Sequence, residues 1–329
     1  MVAVLDVQDL RTYFRTKKGL VKAVDGVSLH IDEGEIIGIV GESGCGKSET
    51  MLSTVQLIQT PGEIVSGRVI FNGEDILQLK ANSPAMRSIR GSKISYIFNE
   101  PMTSLNPTLS INRQISESLE LHLDMNKQTA RDRAIELLEM VGIPDAGARI
   151  DDFPRQFSDG MRQRVMIAIA LACNPPIVIA DEPTTLTDVT TQAQLFELMK
   201  ELITRLSIAL VIVTQNLGVV ARYARRIYVM YAGRIVESGP AEAVFNHPCH
   251  PYTLGLLHSL PRLCENKNLR KLAPINGVLP DLIDMPPYCA FLPRCTHKTE
   301  RCEKDPWPDM RPVGEEHHIS CYADLREMP

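Results

Sequence analysis

The stretch Gly41-Glu42-Ser43-Gly44-Cys45-Gly46-Lys47-Ser48 constrains this chain more than any other, because it fills the pattern G-x-x-x-x-G-K-S. Before it, Glu35-Ile36-Ile37-Gly38-Ile39-Val40 reads as a buried strand, and a helix-compatible segment follows. The glycines let the backbone curl so that successive N–H groups face one concavity at the positive end of that helix, where polyphosphate charge is favoured. The candidate nucleotide contacts are therefore Gly41, Ser43, Gly44, Cys45, Gly46, Lys47, Ser48 and Glu49. Lys47 is expected to reach the β- and γ-phosphates, and the Ser48 hydroxyl to hold Mg²⁺.

With 329 residues the chain has room for about two domains of ~100–200 residues. A hydrophobic fraction of 44% supports a real core, and the formal charge of −5 comes from interspersed acids and bases. No basic stripe suited to a duplex is present, so nucleic acid is not the expected ligand. The N-terminus lacks a charged segment followed by an apolar core, and no apolar run approaches the ~18 residues of a spanning helix. A cytosolic chain that meets a membrane only through partners is expected.

Residues 2–40 alternate short β-rich runs with polar turns, as at a twisted sheet edge. Tyr13 and Phe14 lie here, ahead of the phosphate loop. An aromatic at this place either stacks on a purine or packs in the sheet, and Phe14 is the stacking candidate. Ile94-Ser95-Tyr96-Ile97-Phe98 reads as a further buried strand ending at Asn99-Glu100-Pro101. Beyond it, Ala134, Leu137, Leu138 and Val141 fall at helical spacing over 128–141, and Gly142 closes the helix. A second, mostly apolar helix is expected over 161–172, which makes 102–172 a helical insertion between strands.

The run Ile177-Val178-Ile179-Ala180-Asp181-Glu182-Pro183 places two carboxylates at the end of a short buried strand. In parallel sheets ligands collect at such ends. Asp181 is expected to hold the Mg²⁺ of the nucleotide, and Glu182 to polarise the attacking water as general base. A helix over 190–206 and a strand over 209–214 continue the α/β alternation.

The phosphate loop, the Asp181-Glu182 pair and Phe157-Ser158-Asp159-Gly160-Met161-Arg162-Gln163-Arg164 together resemble an ABC-transporter ATPase subunit. The stretches Glu100-Pro101-Met102-Thr103-Ser104-Leu105-Asn106-Pro107, 162–171 and His250-Pro251-Tyr252-Thr253 resemble its oligopeptide and dipeptide permease branch. The resemblance implies a P-loop cassette with an antiparallel β edge, an inserted helical subdomain and a small cysteine-rich C-terminal module. It implies ATP and Mg²⁺ as ligands. It also implies a head-to-tail dimer with a second ATPase subunit, a homologue in preference to another copy, in which Ser158, Asp159, Gly160 and Met161 face the partner's ATP. Two integral membrane permease subunits, and through them an extracytoplasmic peptide-binding protein, complete the implied assembly at the cytoplasmic face of the cell membrane.

Several positions depart from the family pattern. Asn99 stands where the family carries a glutamine that touches the γ-phosphate side of the site, and it becomes a candidate for catalysis and for Mg²⁺. Asp159 replaces a glycine, which brings a carboxylate towards the partner's phosphates, where like charges repel. Leu186-Thr187-Asp188 keeps only the aspartate of the usual loop. Gln215 replaces the γ-phosphate-sensing histidine, with Asn216 after it; glutamine hydrogen-bonds but takes no proton charge. These departures point to reduced or altered hydrolysis, while Lys47, Asp181, Glu182, Ser158 and Gly160 are retained.

Past residue 245 the chain shifts towards Pro, Cys, His and charge. Cys289, Cys295, Cys302 and Cys321 occur there among Pro293, Pro306, Pro308 and Pro312, in a segment with too little apolar periodicity to hold its own shape. In the cytosol a metal staple is more plausible than disulfides. Spacing leaves zinc and an iron–sulfur cluster open; the resemblance implies a 4Fe-4S cluster. Cys45, Cys173, Cys249 and Cys264 are expected to be ordinary thiols. The resulting expectation is a nucleotide-binding domain over 1–245 and a C-terminal extension over 246–329. It would hydrolyse ATP to import peptides; a regulatory subunit with little hydrolysis and a soluble ATPase acting on nucleic acid are the alternatives.

Overall fold

The computed structural model describes residues 3–99, 101–183, 189–260, 274–283, 285–323 and 325. Glu100, Leu186, Thr187, Asp188 and Cys264 lie outside the described residues. In chain order the strands are β1 (Ala3–Thr16), β2 (Gly19–Asp32), β3 (Ile36–Val40), β4 (Gly62–Phe71), β5 (Glu74–Asp75), β6 (Ile94–Ile97), β7 (Ile177–Asp181), β8 (Ala209–Thr214), β9 (Arg226–Tyr231), β10 (Arg234–Pro240), β11 (Arg311–Gly314) and β12 (His317–Ile319). The chain forms two compact units, one of residues 1–4, 32–35 and 78–212, the other of residues 5–31, 36–77 and 213–329.

In the second unit, β1 and β2 are each 14 residues long, where the sequence reads as short runs divided by polar turns. The polar residues turn out to be the outward half of an alternation. Leu5, Val7 and Leu10 are fully buried, while Asp6 and Gln8 are only half-buried. Asp9, at a φ of 45°, marks a bulge where the register against β4 shifts, so the strand bends instead of ending. β1, β2, β4 and β5 form one sheet in the order β2-β1-β4-β5, with β1–β4 and β4–β5 antiparallel.

The same unit holds the strands ordered β11-β12-β10-β9-β3. β3 runs parallel to β9, pairing Ile37 with Arg226 and Val40 with Val229. β10 returns antiparallel to β9, and the hairpin β11–β12 from the C-terminal region adds to the free side of β10. The tail therefore extends the strand set that carries the phosphate loop.

In the first unit β6 and β7 run parallel, Ile94 opposite Ile177 and Ile97 opposite Ala180, and β8 lies beside β7. Between β6 and β7 come the helices Ile111–Leu123, Lys127–Met140 and Asp159–Leu171, which pack on one another. The helix Lys127–Met140 starts where Asn126 accepts from the N–H groups of Gln128 and Thr129, and stops at Gly142 with a φ of 74°. Its inward face is Ala134, Leu137 and Leu138. Each leucine so buried contributes about 1.5–3 kcal/mol.

Candidate functional site

The strand β3 delivers the chain into the phosphate loop, and the helix Lys47–Thr54 leaves it. Gly46 caps that helix at a φ of 105°, and a Cβ there would lie 2.1 Å from the carbonyl oxygen of Ala23. At Gly41 a Cβ would lie 2.2 Å from the carbonyl oxygen of Met230. Both positions require glycine, so the motif's residue types follow from backbone packing as well as from phosphate binding. Lys47 is buried, and its Nζ donates to the carbonyls of Gly41 at 2.9 Å and Glu42 at 3.0 Å. The ammonium is thus already seated at the mouth of the loop. Ser43 and Gly44 are exposed, and Ser48 and Glu49 half-buried. Cys45 is fully buried, its thiol pushed up to about 11 by desolvation. Phe14 is half-buried and pairs with Gly62 of β4, where a Cβ would fall 2.6 Å from the Phe14 ring. Its neighbour Tyr13 donates to Asp25 at 2.6 Å.

In the first unit, Asp181 ends β7, is 7% exposed and accepts from the Tyr96 hydroxyl at 2.7 Å. Tyr96 was not singled out by the sequence; its place on the parallel neighbour β6, one residue from Ile97, is what aims it. Glu182 follows at a φ of 45°, a conformation that costs a non-glycine residue about 1–3 kcal/mol and recurs at functional sites. Asn99 is exposed just beyond β6.

Ser158 caps the helix Asp159–Leu171, accepting from the N–H of Met161 at 3.4 Å. Gly160 has room for a side chain: the nearest atom a Cβ would meet is a Thr191 methyl at 3.6 Å. Asp159 does not present the uncompensated carboxylate that its sequence position suggests. Arg162 lies 3.4 Å away on the same helix, and the first turn favours an anion in any case. In the second unit Gln215 is exposed, and Asn216 caps the helix Leu217–Tyr223, accepting from Gly218 at 3.0 Å and Val219 at 3.4 Å. Asparagine and aspartate are equivalent in that capping role, so this departure has a local reason.

The tail brings Cys289, Cys295, Cys302 and Cys321 close enough for their charges to act on one another. Burial pushes Cys289 up to about 11 and Cys321 up to about 12, and the neighbouring sulfurs add to both. Backbone N–H groups point at the sulfurs: Phe291 and Leu292 at Cys289, His297 at Cys295 at 3.4 Å, and Ala323 at Cys321. Among the described residues, the trio of metal-ligand atoms lying mutually within 4.8 Å is Glu237, Cys249 and His317, which includes none of these four. That trio is already satisfied. Glu237 is fully buried and accepts from Cys249 N at 2.8 Å, His250 N at 2.9 Å and His317 Nε2 at 2.7 Å. It ties β10 to the start of the helix Pro251–His258 and to β12. His250 is held down to about 4 by burial and stays neutral, its Nδ1 accepting from Tyr252 N at 3.0 Å.

Against known proteins, the ABC transporter family model matches residues 24–185, and the model of the oligopeptide/dipeptide transporter C-terminal region matches 236–302. The dipeptide transport ATP-binding protein DppD of Bacillus subtilis is 46% identical, the match covering 98% of this chain and 95% of that one. The chain belongs to the ABC transporter ATP-binding family. DppD of Escherichia coli is 43% identical to this family member over 98% of each chain. Among solved structures, the cassette resembles the ATP-binding cassette MJ0796 in a dimeric post-hydrolysis state with ADP and Pi, with a TM-score of 0.64 and 28% identity over 72% of this chain and 98% of that one. CbiO1 of Clostridium perfringens, part of the transporter complex cbiONQ, gives 0.63 with 25% identity over 75% and 92%. No helix among the described residues is long and apolar enough to cross a membrane.

Proposed function

We propose that this cassette is the ATP-hydrolysing subunit of an importer for dipeptides or oligopeptides. It pairs with a second, homologous ATPase subunit on the cytoplasmic face of two membrane permease subunits, which an extracytoplasmic binding protein supplies with peptide. The observation that supports hydrolysis is the retained machinery, each part ordered within its own unit: a buried Lys47 at the loop mouth in one, and Asp181 fixed by Tyr96 next to Glu182 in the other. Ser48 and Asp181 offer the hard oxygen ligands that Mg²⁺ takes, and the ion would neutralise phosphate charge as it develops. Lys47 swings from its carbonyls to the phosphates, Glu182 accepts the proton of the attacking water, and Phe14 stacks on the base. Ser158, Gly160 and Met161 at the helix start serve the partner's ATP, with Asp159 held by Arg162. Gln215 and Asn99 orient water or phosphate by hydrogen bonding only.

For the four tail cysteines the reading is a 4Fe-4S cluster, with zinc as the alternative. Backbone donors aimed at sulfur are the pattern that tunes and holds iron–sulfur clusters. Three buried donors of the same unit, His250 Nε2, Thr253 Oγ1 and Trp307 Nε1, have no acceptor among the described residues.

Turnover of the assembled transporter with peptide-loaded binding protein tests the assignment. Glu182→Gln should reduce it by about a thousandfold, whereas Gln215→His with Asp159→Gly should raise it about tenfold, only ~1.4 kcal/mol of barrier. Wild-type turnover in the Glu182 variant would shift the reading to a regulatory subunit whose partner does the chemistry.

A further inference from the structure

The tail reaches back to the phosphate loop at Glu42. Arg294 donates from Nη1 to Glu42 Oε2 at 2.7 Å and from Nη2 to Oε1 at 2.9 Å, a two-pronged pairing between residues 252 apart in sequence. The Glu42 N–H donates to the Tyr252 hydroxyl at 2.8 Å, and its carbonyl accepts from Lys47. Every polar group of Glu42 is therefore engaged, two of the three by residues beyond 245. Both partners belong to the same compact unit as the loop.

Arg294 is itself held on several sides. Its side chain is only 5% exposed, its Nε donates to the Asn276 carbonyl at 2.9 Å, and it lies over the rings of Tyr231 and Phe291 at 5.8 and 5.9 Å. Those rings contact each other and Tyr252, with centroids 4.6 to 5.4 Å apart. Glu42 raises the Arg294 pKa further, so the charge is permanent. A planar guanidinium paired to a carboxylate by two parallel bonds fixes direction as well as distance, which one ammonium could not do. Arg294 sits in the 3₁₀ turn Leu292–Arg294 directly before Cys295.

We propose that Arg294 is a positioning residue for nucleotide binding: through Glu42 it holds the first turn of the phosphate loop in its phosphate-accepting shape. The loop's N–H groups bind phosphate only when they converge, and a loop free to splay would lose that convergence before ATP arrives. The nucleotide affinity of this cassette is thus set in part by a segment at the far end of the chain. The assignment rests on the ATP-binding reading of the loop, and it stands whichever metal the cysteines hold.

The test is a double-mutant cycle on the full chain, reading Mg–ATP affinity by calorimetry and the KM and kcat of the assembled transporter. Arg294→Gln and Glu42→Gln should each weaken ATP binding about tenfold, and the pair together no further, because both remove the same contact. KM should rise by the same factor with kcat unchanged, and Arg294→Lys should recover part of the loss. Glu42→Gln leaves the tail sequence intact, so it reports even if Arg294→Gln destabilises the tail. Wild-type affinity in both single variants, or losses that multiply in the double, would overturn the proposal. Failure of Lys47→Ala to weaken binding would instead remove the nucleotide site itself.

Discussion

The phosphate loop and the cysteine tail reach ordered structure by opposite routes. In the loop, the residues that set the shape fall within one short motif, Gly41 to Ser48. Gly41 and Gly46 sit where the distant carbonyls of Met230 and Ala23 leave no room for a Cβ, while Lys47 bonds to carbonyls five and six residues back. In the tail, little is local: β12 pairs with β10, His317 pairs with Glu237, and Arg294 pairs with Glu42, each across a long interval. A segment with few apolar residues to bury is held by buried polar anchors and by its thiols, so single losses should matter more there.

The largest effect should come from the thiols. Cys302→Ser is expected to lose bound iron and brown colour in protein prepared without oxygen, and to open the residues after Pro286 to protease, because binding energy at such a site is folding energy. Through Arg294 it should also weaken ATP binding. Stoichiometric zinc in the wild type would show that the metal is wrong, and four alkylatable thiols would remove the site. Next comes Glu237→Ala. It strands His317 and two backbone N–H groups in the interior, and should lower unfolding free energy by about 3–5 kcal/mol in denaturant titration; a loss under 1 kcal/mol would mean that the tail is held by something else. The smallest change in stability should be that of Lys47→Ala, which leaves the melting temperature nearly unaltered. It should weaken ATP binding about a hundredfold in calorimetry, ~2.7 kcal/mol.

The same contrast decides what could be read from the sequence. The phosphate loop, β7 with its two carboxylates and the helix closed by Gly142 were legible because each is encoded by residues within one turn or strand of each other. The helix Lys127–Met140 begins one residue from its expected start for that reason. The sequence pattern makes β1 and β2 look shorter than they are, since a bulge at Asp9 resembles a turn when only one strand is in view. Tyr96, Arg294 and the Glu237 anchor carry no local sequence signal. Their roles depend on partners 85, 252 and 80 residues away, and nothing in the spacing of a tyrosine, an arginine or a glutamate announces such a partner. The stretch His250-Pro251-Tyr252-Thr253 stands out as a motif, but its physical content lies in the contacts of Tyr252 with the loop and of His250 with Glu237.

The hairpin β11–β12 has one more consequence. Ile319 and His318 pair with Glu237 and Ser238, and Ser320 donates to the Val236 carbonyl at 2.9 Å, so the outer side of β10 does not end in open peptide groups. A strand with its N–H and C=O row uncovered is a template for a second chain, and proteins blunt such rows with short strands, proline or a covering segment. Here the cover is short and carries Pro312 in β11. The tail thereby finishes the sheet as a surface that does not recruit strands from its neighbours, a protection against self-association that a chain cut off after β10 would lack.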